Sequence, residues 1–242
     1  MKLRVVPLVK LVSAILAILV LLGVKQLSTI WAEKTATRLA PPPTLPAKVD
    51  LPSKVDLPSY DIKVLKRHVR TRLPLYRVHF QQAAEKYGLS WNLLAAQGYQ
   101  ESHWNRKARS PTGVRGLMML TRTTAAELGV TNRLDPVQSI RGGAKYLAKL
   151  RVRLPKDIQR PDRTFIALAA YNVGMGHVKD ARTLAVRQGK DPNRWPDLRT
   201  VLPLLTDKRY YKTLRYGYAR GHETVHYVKR IRAYLSLLEQ PI

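Results

Sequence analysis

The stretch SWNLLAAQGYQES, residues 90–102, decides the fold class of this chain. Ser90 is a favoured helix N-cap, because its hydroxyl accepts a hydrogen bond from a free N–H group of the first turn, and it predicts a helix over residues 91–102. Downstream of Tyr60 the sequence contains no alternating run of β-branched residues long enough for a sheet. We therefore expect an all-α domain with short connections.

Helix start and stop signals recur toward the C-terminus. Asp135 followed by Pro136 combines a capping carboxylate with proline at the first helical position. Gly174 and Gly189 stand where glycine ends a helix, and the G-M-G sequence at 174–176 predicts a turn between two helices. The last helix is expected from about His222, with one apolar stripe formed by Val225, Val228, Ile231, Leu235 and Leu238.

Composition excludes several classes of protein. The 242 residues allow one domain of ordinary size with appendages, and 45% hydrophobic residues suffice for a packed core. The absence of cysteine excludes disulfides, thiolate metal sites, cysteine nucleophiles and a lipid-modified N-terminal cysteine. The net charge of +27 favours an anionic partner, and residues 60–242 carry most of it, with 35 Lys+Arg against 13 Asp+Glu.

Residues 1–32 are predicted to form a signal anchor. Positive charges at positions 2, 4 and 10 precede the apolar run Leu11–Val24, an order that predicts a cytoplasmic N-terminus with the rest of the chain exported. The run is long enough to span a bilayer when it is counted from Val5. No clear small-x-small cleavage site follows, which favours an uncleaved single-pass segment in the inner membrane. A cleaved signal peptide is the alternative.

Residues 33–59 are predicted to be a linker, followed by a periplasmic domain over residues 60–242. Six of the 16 prolines lie in this segment, which repeats the unit LPAKVD as LPSKVD. Proline fixes φ and removes backbone donors, so we expect an extended spacer that holds the domain off the membrane.

Common catalytic motifs are absent from the sequence. It contains no G-x-S-x-G, no Walker loop and no H-E-x-x-H. His222 and His226 are four residues apart on the predicted last helix, but no third ligand lies near them in sequence. We therefore expect neither a metal nor a cofactor.

Glu101 is the carboxylate in the least ordinary position, at the C-terminal end of the helix predicted over residues 91–102. The negative end of the helix dipole disfavours its ionised form, and Tyr99 and Trp104 are expected to supply an apolar wall. Both effects raise the pKa of a carboxyl group, as a general acid at neutral pH requires. From spacing alone, an exposed glutamate in the last turn of a helix is the alternative.

Three blocks of sequence resemble the soluble-lytic-transglycosylase family. They are ESHWNRKARSPTGVRGLMMLTRTTA from Glu101, IALAAYNVGMGHV from Ile166, and YARGHETVHYVKRI from Tyr218. The forms G-L-M-M-L and Y-A-R-G-H-E are most similar to the membrane-bound F-type branch. The resemblance, over roughly residues 75–240, implies a helical catalytic domain similar to goose-type lysozyme, with a groove for peptidoglycan glycan strands.

The resemblance also implies roles for individual residues. Glu101 is implied to be the sole catalytic acid and base. The implied substrate-binding residues are Ser110, Met119, Tyr171, Asn172, Glu223 and Tyr227. The methionine among them stands where many family members carry glutamine. The residue types alone leave alternatives open. Tyr171 and Tyr227 are also suited to core packing, and Glu223 is also suited to stabilising a helix N-terminus.

The implied reaction needs one carboxyl group, whereas ordinary glycoside hydrolases use two. Protonated Glu101 gives its proton to the oxygen between N-acetylmuramic acid and N-acetylglucosamine, while the N-acetyl group of the substrate stabilises the anomeric carbon. The carboxylate then takes the proton of the muramyl 6-hydroxyl, which attacks carbon 1 and gives a 1,6-anhydro product without water.

Three alternative functions stay open. A goose-lysozyme-like hydrolase would deliver water to the same bond, and a wall-binding component of an envelope-spanning assembly would use the fold without catalysis. The third alternative is nucleic-acid binding, which the basic segment KVLKRHVRTR, residues 63–72, suggests. The predicted export of the domain argues against it. Peptidoglycan stem peptides carry carboxylates, which a basic domain attracts, so we expect glycan strands as a partner. The predicted anchor makes the inner membrane a second partner, and we expect no nucleic acid.

Overall fold

The computed structural model describes residues 57–240, which form a helical domain. Its helices are α1 (Ser59–Thr71), α2 (Arg77–Tyr87), α3 (Trp91–Ser102), α4 (Arg122–Leu128), α5 (Pro136–Arg153), α6 (Asp162–Val173), α7 (Met175–Arg187), α8 (Trp195–Val201), α9 (Lys208–Tyr211) and α10 (Gly221–Leu238), with 3₁₀ segments at Leu73–Leu75 and Leu202–Thr206. Within residues 57–240 no strand forms, although isolated bridges join Arg109 to Arg115 and Arg115 to Leu120. The predicted all-α class is confirmed for this part of the chain.

The predicted anchor at residues 1–32 lies outside the described residues, as does all but the end of the predicted linker at 33–59. Helix α1 begins at Ser59, one residue before the predicted start of the domain. Of the helices that the structure describes, none combines the length and the apolar character needed to cross a bilayer.

Local chemistry sets the helix ends as predicted. The Ser90 hydroxyl accepts a hydrogen bond from Leu93 N at 3.4 Å at the start of α3. Asp135 Oδ1 accepts one from Gln138 N at 2.8 Å at the start of α5. Gly174, with φ of 92°, separates α6 from α7. These caps satisfy backbone groups that a helix terminus leaves without partners.

Two helices form the centre of the domain because they are buried on nearly every side. The run Leu93–Tyr99 of α3 is wholly buried, and so is the run Thr164–Ala170 of α6. A helix that is apolar around its circumference belongs in a core. Helix α10 packs against both α3 and α6, while α5 packs against α2 and α6. The last turn of α3, with Glu101, therefore lies beside α10.

The end of the loop between α3 and α4, residues 116–118, is packed into the core. Met118 is fully buried, and its side chain lies against Gly143 of α5 and Gly98 of α3. A Cβ at these glycines would be 2.7 Å and 3.2 Å, respectively, from atoms of that side chain. The missing side chains therefore let the loop approach both helices closely.

Polar contacts hold the second half of the same loop. Ser102 Oγ donates to Leu117 O at 2.9 Å. The Arg133 guanidinium donates to Gly113 O at 2.8 Å and to Leu120 O at 2.9 Å. These bonds give hydrogen-bond donors to backbone carbonyls of a segment that lies outside the helices.

Gly116→Ala is expected to destabilise the domain strongly. Gly116 has φ of 84°, and an added Cβ would lie 1.8 Å from Arg133 O, so the backbone would have to move. We expect the free energy of unfolding, measured by urea denaturation, to fall by more than about 3 kcal/mol.

Gly113→Ala is the matched control for this prediction. Its φ is 83°, but a Cβ there would meet open space, so the expected loss is about 1–2 kcal/mol from the backbone conformation alone. Equal losses in the two variants would contradict the close approach at position 116.

Candidate active site

Glu101, in the last turn of α3, is held by Tyr227 of α10. The Tyr227 hydroxyl donates to Glu101 Oε1 at 2.5 Å and accepts a hydrogen bond from Gln97 Nε2 at 3.4 Å. Gln97 lies one helical turn before Glu101, so both side chains face α10. Gln97 and Tyr227 are 0% and 4% exposed, whereas Glu101 is partly exposed. The carboxyl group thus has a protein wall behind it and an opening in front.

The pKa of Glu101 is shifted upward by its surroundings, as predicted. Burial raises this pKa to about 8, and the hydrogen bond from Tyr227 acts in the opposite direction. Removing water destabilises the carboxylate more than one phenol stabilises it. Most of Glu101 is therefore protonated at neutral pH.

The rings expected to wall Glu101 lie elsewhere. Tyr99 and Trp104 pack against each other in the core, with ring centroids 4.7 Å apart, and neither lines the space in front of the carboxyl group. The backbone adopts positive φ at both His103 and Trp104, 51° and 57°, and this directs the indole inward. The prediction of that wall was wrong, and Tyr227 lies against the carboxyl group instead.

Tyr171, near the end of α6, joins the loop to the site. Its hydroxyl donates to Met118 O at 2.8 Å, while Ser139 Oγ accepts a hydrogen bond from Met118 N at 3.1 Å. Burial raises the pKa of Tyr171 well above its usual range, and the nearby charge of Glu101 adds to the rise. The phenol is thus neutral, close to the carboxyl group, and bound to the loop.

An open cleft of about 530 Å³ lies in front of Glu101. It is lined by the end of α3 and the loop after it, namely Gln100, Glu101, Ser102, His103, Asn105, Lys107, Ala108, Arg109 and Met119. Met119, with φ of 44°, reaches this cleft, whereas its neighbours Met118 and Leu120 are buried. Among these lining residues Glu101 is the one carboxylic acid, with Lys107 and Arg109 as cations.

Ser110 follows the cleft lining and shapes a turn. Its N–H donates to Val114 O at 3.1 Å, and its hydroxyl accepts a hydrogen bond from Val114 N at 3.3 Å. The Ser110 and Thr112 hydroxyl oxygens are 2.8 Å apart. Ser110 thus lies at the edge of the cleft, next to Arg109, and is not among the lining residues.

Asn172 and Glu223 are exposed and are not among the lining residues either. Asn172 Oδ1 accepts a hydrogen bond from Thr224 Oγ1 at 2.9 Å, which joins the end of α6 to the first turn of α10. The Glu223 carboxylate is 3.3 Å from the Arg220 guanidinium. No side-chain hydrogen bond caps α10, but Glu223 lies in its first turn, where the helix dipole favours a negative charge.

The two histidines of α10 are also exposed. His222 and His226 lie on the first turns of the helix. In the part of the chain that the structure describes, no three His, Cys, Asp or Glu side chains are grouped so that they could hold a metal ion.

Sequence reasoning missed the residues that support the site from behind. Gln97 donates to Tyr227, and the loop backbone is bound by Ser102, Arg133 and Ser139. Apart from Ser102, which follows Glu101 in the first family block, none of these residues belongs to the blocks that carry the resemblance. The one available signal is Gln97 itself, a polar residue within the apolar run LLAAQGY, because a buried amide needs a hydrogen-bond partner.

Residues 79–193 match the family model described as Transglycosylase SLT domain. Among curated proteins, membrane-bound lytic murein transglycosylase F 2 of Alkalilimnicola ehrlichii is 59% identical over 180 residues, which cover 74% of this chain and 40% of that protein. Membrane-bound lytic murein transglycosylase F of Stutzerimonas stutzeri is 58% identical over 172 residues, 71% of this chain and 35% of that protein. The chain thus spans less than half the length of these relatives.

A solved structure shares the fold. The 70 kDa soluble lytic transglycosylase of Escherichia coli matches with a TM-score of 0.51 and 25% sequence identity. The match covers 72% of this chain and 26% of the larger protein.

Tyr227→Phe is expected to raise the pKa of Glu101 above about 8. The hydrogen bond from Tyr227 stabilises the carboxylate, and the variant lacks it. The measurement is a carbon-13 NMR titration of the Glu101 carboxyl group. Tyr171→Phe is the matched control, since that hydroxyl donates to Met118 O. An unchanged pKa in Tyr227→Phe, or an equal rise in both variants, would show that the phenol does not stabilise the charge.

Glu101→Gln is expected to stabilise the domain at alkaline pH. The carboxyl group has a pKa of about 8 when folded, against an ordinary value of 4.5, so the folded state binds more protons between these values. Glu101 therefore lowers stability progressively as the pH rises through this window. Glutamine cannot ionise, so the Tm advantage of the variant should be small near pH 4 and grow toward pH 9.

Thermal unfolding over this pH series tests the linkage. Glu127→Gln removes an exposed carboxylate from α4 and controls for the loss of one negative charge. A Glu101→Gln variant that loses stability relative to this control as the pH rises would refute the prediction.

Proposed function

We propose that this chain, whose helical domain belongs to the transglycosylase SLT family, is a peptidoglycan lytic transglycosylase. The family resemblance read from the motifs is confirmed by the match over residues 79–193 and by the relatives. The proposed reaction breaks the β-1,4 bond between N-acetylmuramic acid and N-acetylglucosamine without water. The observation that carries the proposal is one carboxyl group, protonated at neutral pH, that faces a cleft and is held by a phenol.

Glu101 acts first as the acid. Because burial keeps it protonated near neutral pH, it has a proton to give to the glycosidic oxygen as that bond breaks. The lining residues hold no second carboxylate that could act as a nucleophile or base. The N-acetyl group of the substrate therefore stabilises the anomeric carbon in this proposal.

Glu101 acts next as the base. After the first step it is a carboxylate, and the Tyr227 hydroxyl donates to its Oε1 and stabilises the charge. The other oxygen is then available for the proton of the muramyl 6-hydroxyl, whose oxygen attacks carbon 1 and closes the 1,6-anhydro ring. Proton transfer to this carboxylate restores the acid for the next cycle.

Gln97 lets Tyr227 serve both protonation states of Glu101. When the carboxylate accepts from Tyr227, the Gln97 amide N–H donates to the phenol oxygen. When Glu101 is protonated and donates, the phenol needs an acceptor for its own proton. Gln97 Oε1 is buried without a partner, so a turned amide supplies that acceptor.

The remaining site residues are proposed to bind the strand. Met119 offers an apolar surface in the cleft beside Glu101, where a glutamine would offer hydrogen bonds. Tyr171 supports the same loop through Met118 O. Ser110, Asn172 and Glu223 stay proposals as substrate-binding residues, supported by their placement at the edge of the cleft and at the adjoining ends of α6 and α10.

The openness of the cleft to solvent favours a second candidate, hydrolysis of the same bond. In that reaction Glu101 would activate a water molecule, and the fragments would carry reducing ends. The anhydro-ended fragments of the transglycosylase are lighter by one water, so the product mass separates the two reactions.

We propose that the domain works in the periplasm, tethered to the inner membrane by residues 1–32 and held away from it by the spacer at 33–59. The apolar run after an N-terminal positive cluster supports this topology. The term membrane-bound in the names of the relatives supports it as well.

Glu101→Gln is expected to lose roughly 10²–10⁴-fold in the release of anhydro-ended fragments, because general acid–base catalysis contributes about that much. The measurement is mass spectrometry of sacculi digested by the wild-type chain and by the variant. Glu127→Gln, on the exposed surface of α4, should retain the wild-type rate. Near-normal release by Glu101→Gln would refute the assignment, and reducing-ended fragments from the wild type would favour the hydrolase.

A further inference from the structure

Residues 208–220, from the start of α9 to the residue before α10, concentrate aromatic and basic side chains on the surface. The sequence KRYYKTLRYGYAR holds four tyrosines and five Lys or Arg residues. Tyr216 and Tyr218 are 43% and 55% exposed. Large aromatic side chains left exposed together often mark a binding surface. We name residues 208–220 the tyrosine-rich segment.

The tyrosine-rich segment is fixed to α7 rather than free to move. Buried Asp180 of α7 accepts hydrogen bonds from Tyr216 N at 2.7 Å and Gly217 N at 3.1 Å. The Tyr216 ring covers Gly176, where a Cβ would be 2.5 Å from the ring. A surface that is already ordered loses little conformational entropy when it binds a ligand.

The segment lies at the end of the site formed by α6 and α10. Gly176, under the Tyr216 ring, is four residues after Asn172, and Asn172 bonds to Thr224 in the first turn of α10. Tyr227 follows Gly221, the first residue of α10, by about 9 Å along the helix axis. The tyrosine-rich segment therefore adjoins the first turn of α10, the helix that also carries Tyr227.

The side chains of the segment suit a sugar with acidic substituents. Tyr211 and Tyr218 meet edge to face, with centroids 5.7 Å apart and an interplanar angle of 86°. Asp207 and Glu223 pair with Arg209 and Arg220, respectively. Lys208, Lys212 and Arg215 are the three other cations of the segment, and all three are exposed. Of these we assign Lys212 and Arg215, the two nearer to Tyr218 in sequence, to an external anion.

We propose that the tyrosine-rich segment binds the part of the glycan strand that extends out of the cleft. Tyr218 stacks on a sugar ring, while Lys212 and Arg215 bind the carboxylates of a stem peptide. The inference rests on the proposed function and deepens it, because it makes peptide-bearing strands the preferred substrate.

The test uses the full chain with Glu101→Gln, so that the probe is not consumed. Fluorescence anisotropy measures the Kd for labelled glycan strands prepared from sacculi, with and without their peptides. Tyr218→Ser should raise the Kd for both probes roughly 3- to 10-fold, and Tyr218→Phe should restore binding because it keeps the ring. Tyr60→Ser removes a tyrosine of α1 that is 74% exposed and should leave the Kd unchanged.

A double variant that removes two positive charges tests the proposed role of the cations. Lys212→Gln with Arg215→Gln should weaken the peptide-bearing probe roughly 3- to 10-fold at low salt and less at high salt, and should weaken the peptide-free probe by a smaller factor. Lys149→Gln with Arg153→Gln, two exposed cations of α5, is the matched control. Equal effects of the two pairs would assign the loss to net charge and overturn the cation assignment.

The outcomes separate this proposal from the proposed function. The sugar-binding role is overturned if Tyr218→Ser leaves glycan binding unchanged, or if Tyr60→Ser weakens it equally. Either result has this meaning even when the wild type releases anhydro-ended fragments. Absence of such fragments overturns the proposed function, and weaker glycan binding by Tyr218→Ser would still support the segment. A single-stranded oligonucleotide that loses affinity in Tyr218→Ser, with glycan affinity intact, would assign the surface to nucleic acid and refute our proposal.

Discussion

The hydrogen bond between Tyr227 and Glu101 is the interaction on which the site depends. It joins the last turn of α3 to α10, the helix that also covers α6. Desolvation makes an ionised carboxyl group unfavourable at this position, and the phenol offsets part of that penalty. The result is an acid that is protonated near neutral pH but can still lose its proton. A single group with these two accessible states is what the proposed two-step reaction requires.

The second constraint is the burial of residues 116–118, at the end of the loop that lines the cleft. Met118 occupies space that Gly98 and Gly143 leave open, and its backbone is bound on one side by Ser139 and on the other by Tyr171. The side chain of Met119 is thereby left facing the cleft. Core packing of Met118 therefore fixes the end of the loop that carries Met119, while hydrogen bonds among the lining residues Ser102, Asn105 and Ala108 hold its beginning.

Local chemistry in the sequence was enough to predict the helix ends. Ser90 and Asp135 cap helices as expected, and Gly189 follows the end of α7 with φ of 66°. These predictions succeed because each cap involves residues within a few positions of one another. The motifs also pointed to both Glu101 and Tyr227, although nothing in their spacing of 126 residues indicated that the two side chains touch.

The failures concern side-chain direction and long-range contacts. Trp104 was expected beside Glu101, but two consecutive positive φ angles turn its ring into the core. Positive φ is uncommon for residues other than glycine, so the sequence gives no sign of it at a tryptophan. Arg133 lies just before α5 and Ser139 lies in its first turn, and both bind the loop between α3 and α4. Contacts between segments so far apart in sequence form only when the chain is folded.

The position of Tyr227 along the chain has a consequence for what counts as the smallest working unit. The segment that matches the family model ends at residue 193, and helix α10 begins at Gly221. A protein cut back to that segment would keep its acid while losing the phenol and the helix that covers α3. The segment that matches the family model is therefore shorter than the site itself, because the site also needs Tyr227 from the C-terminal helix.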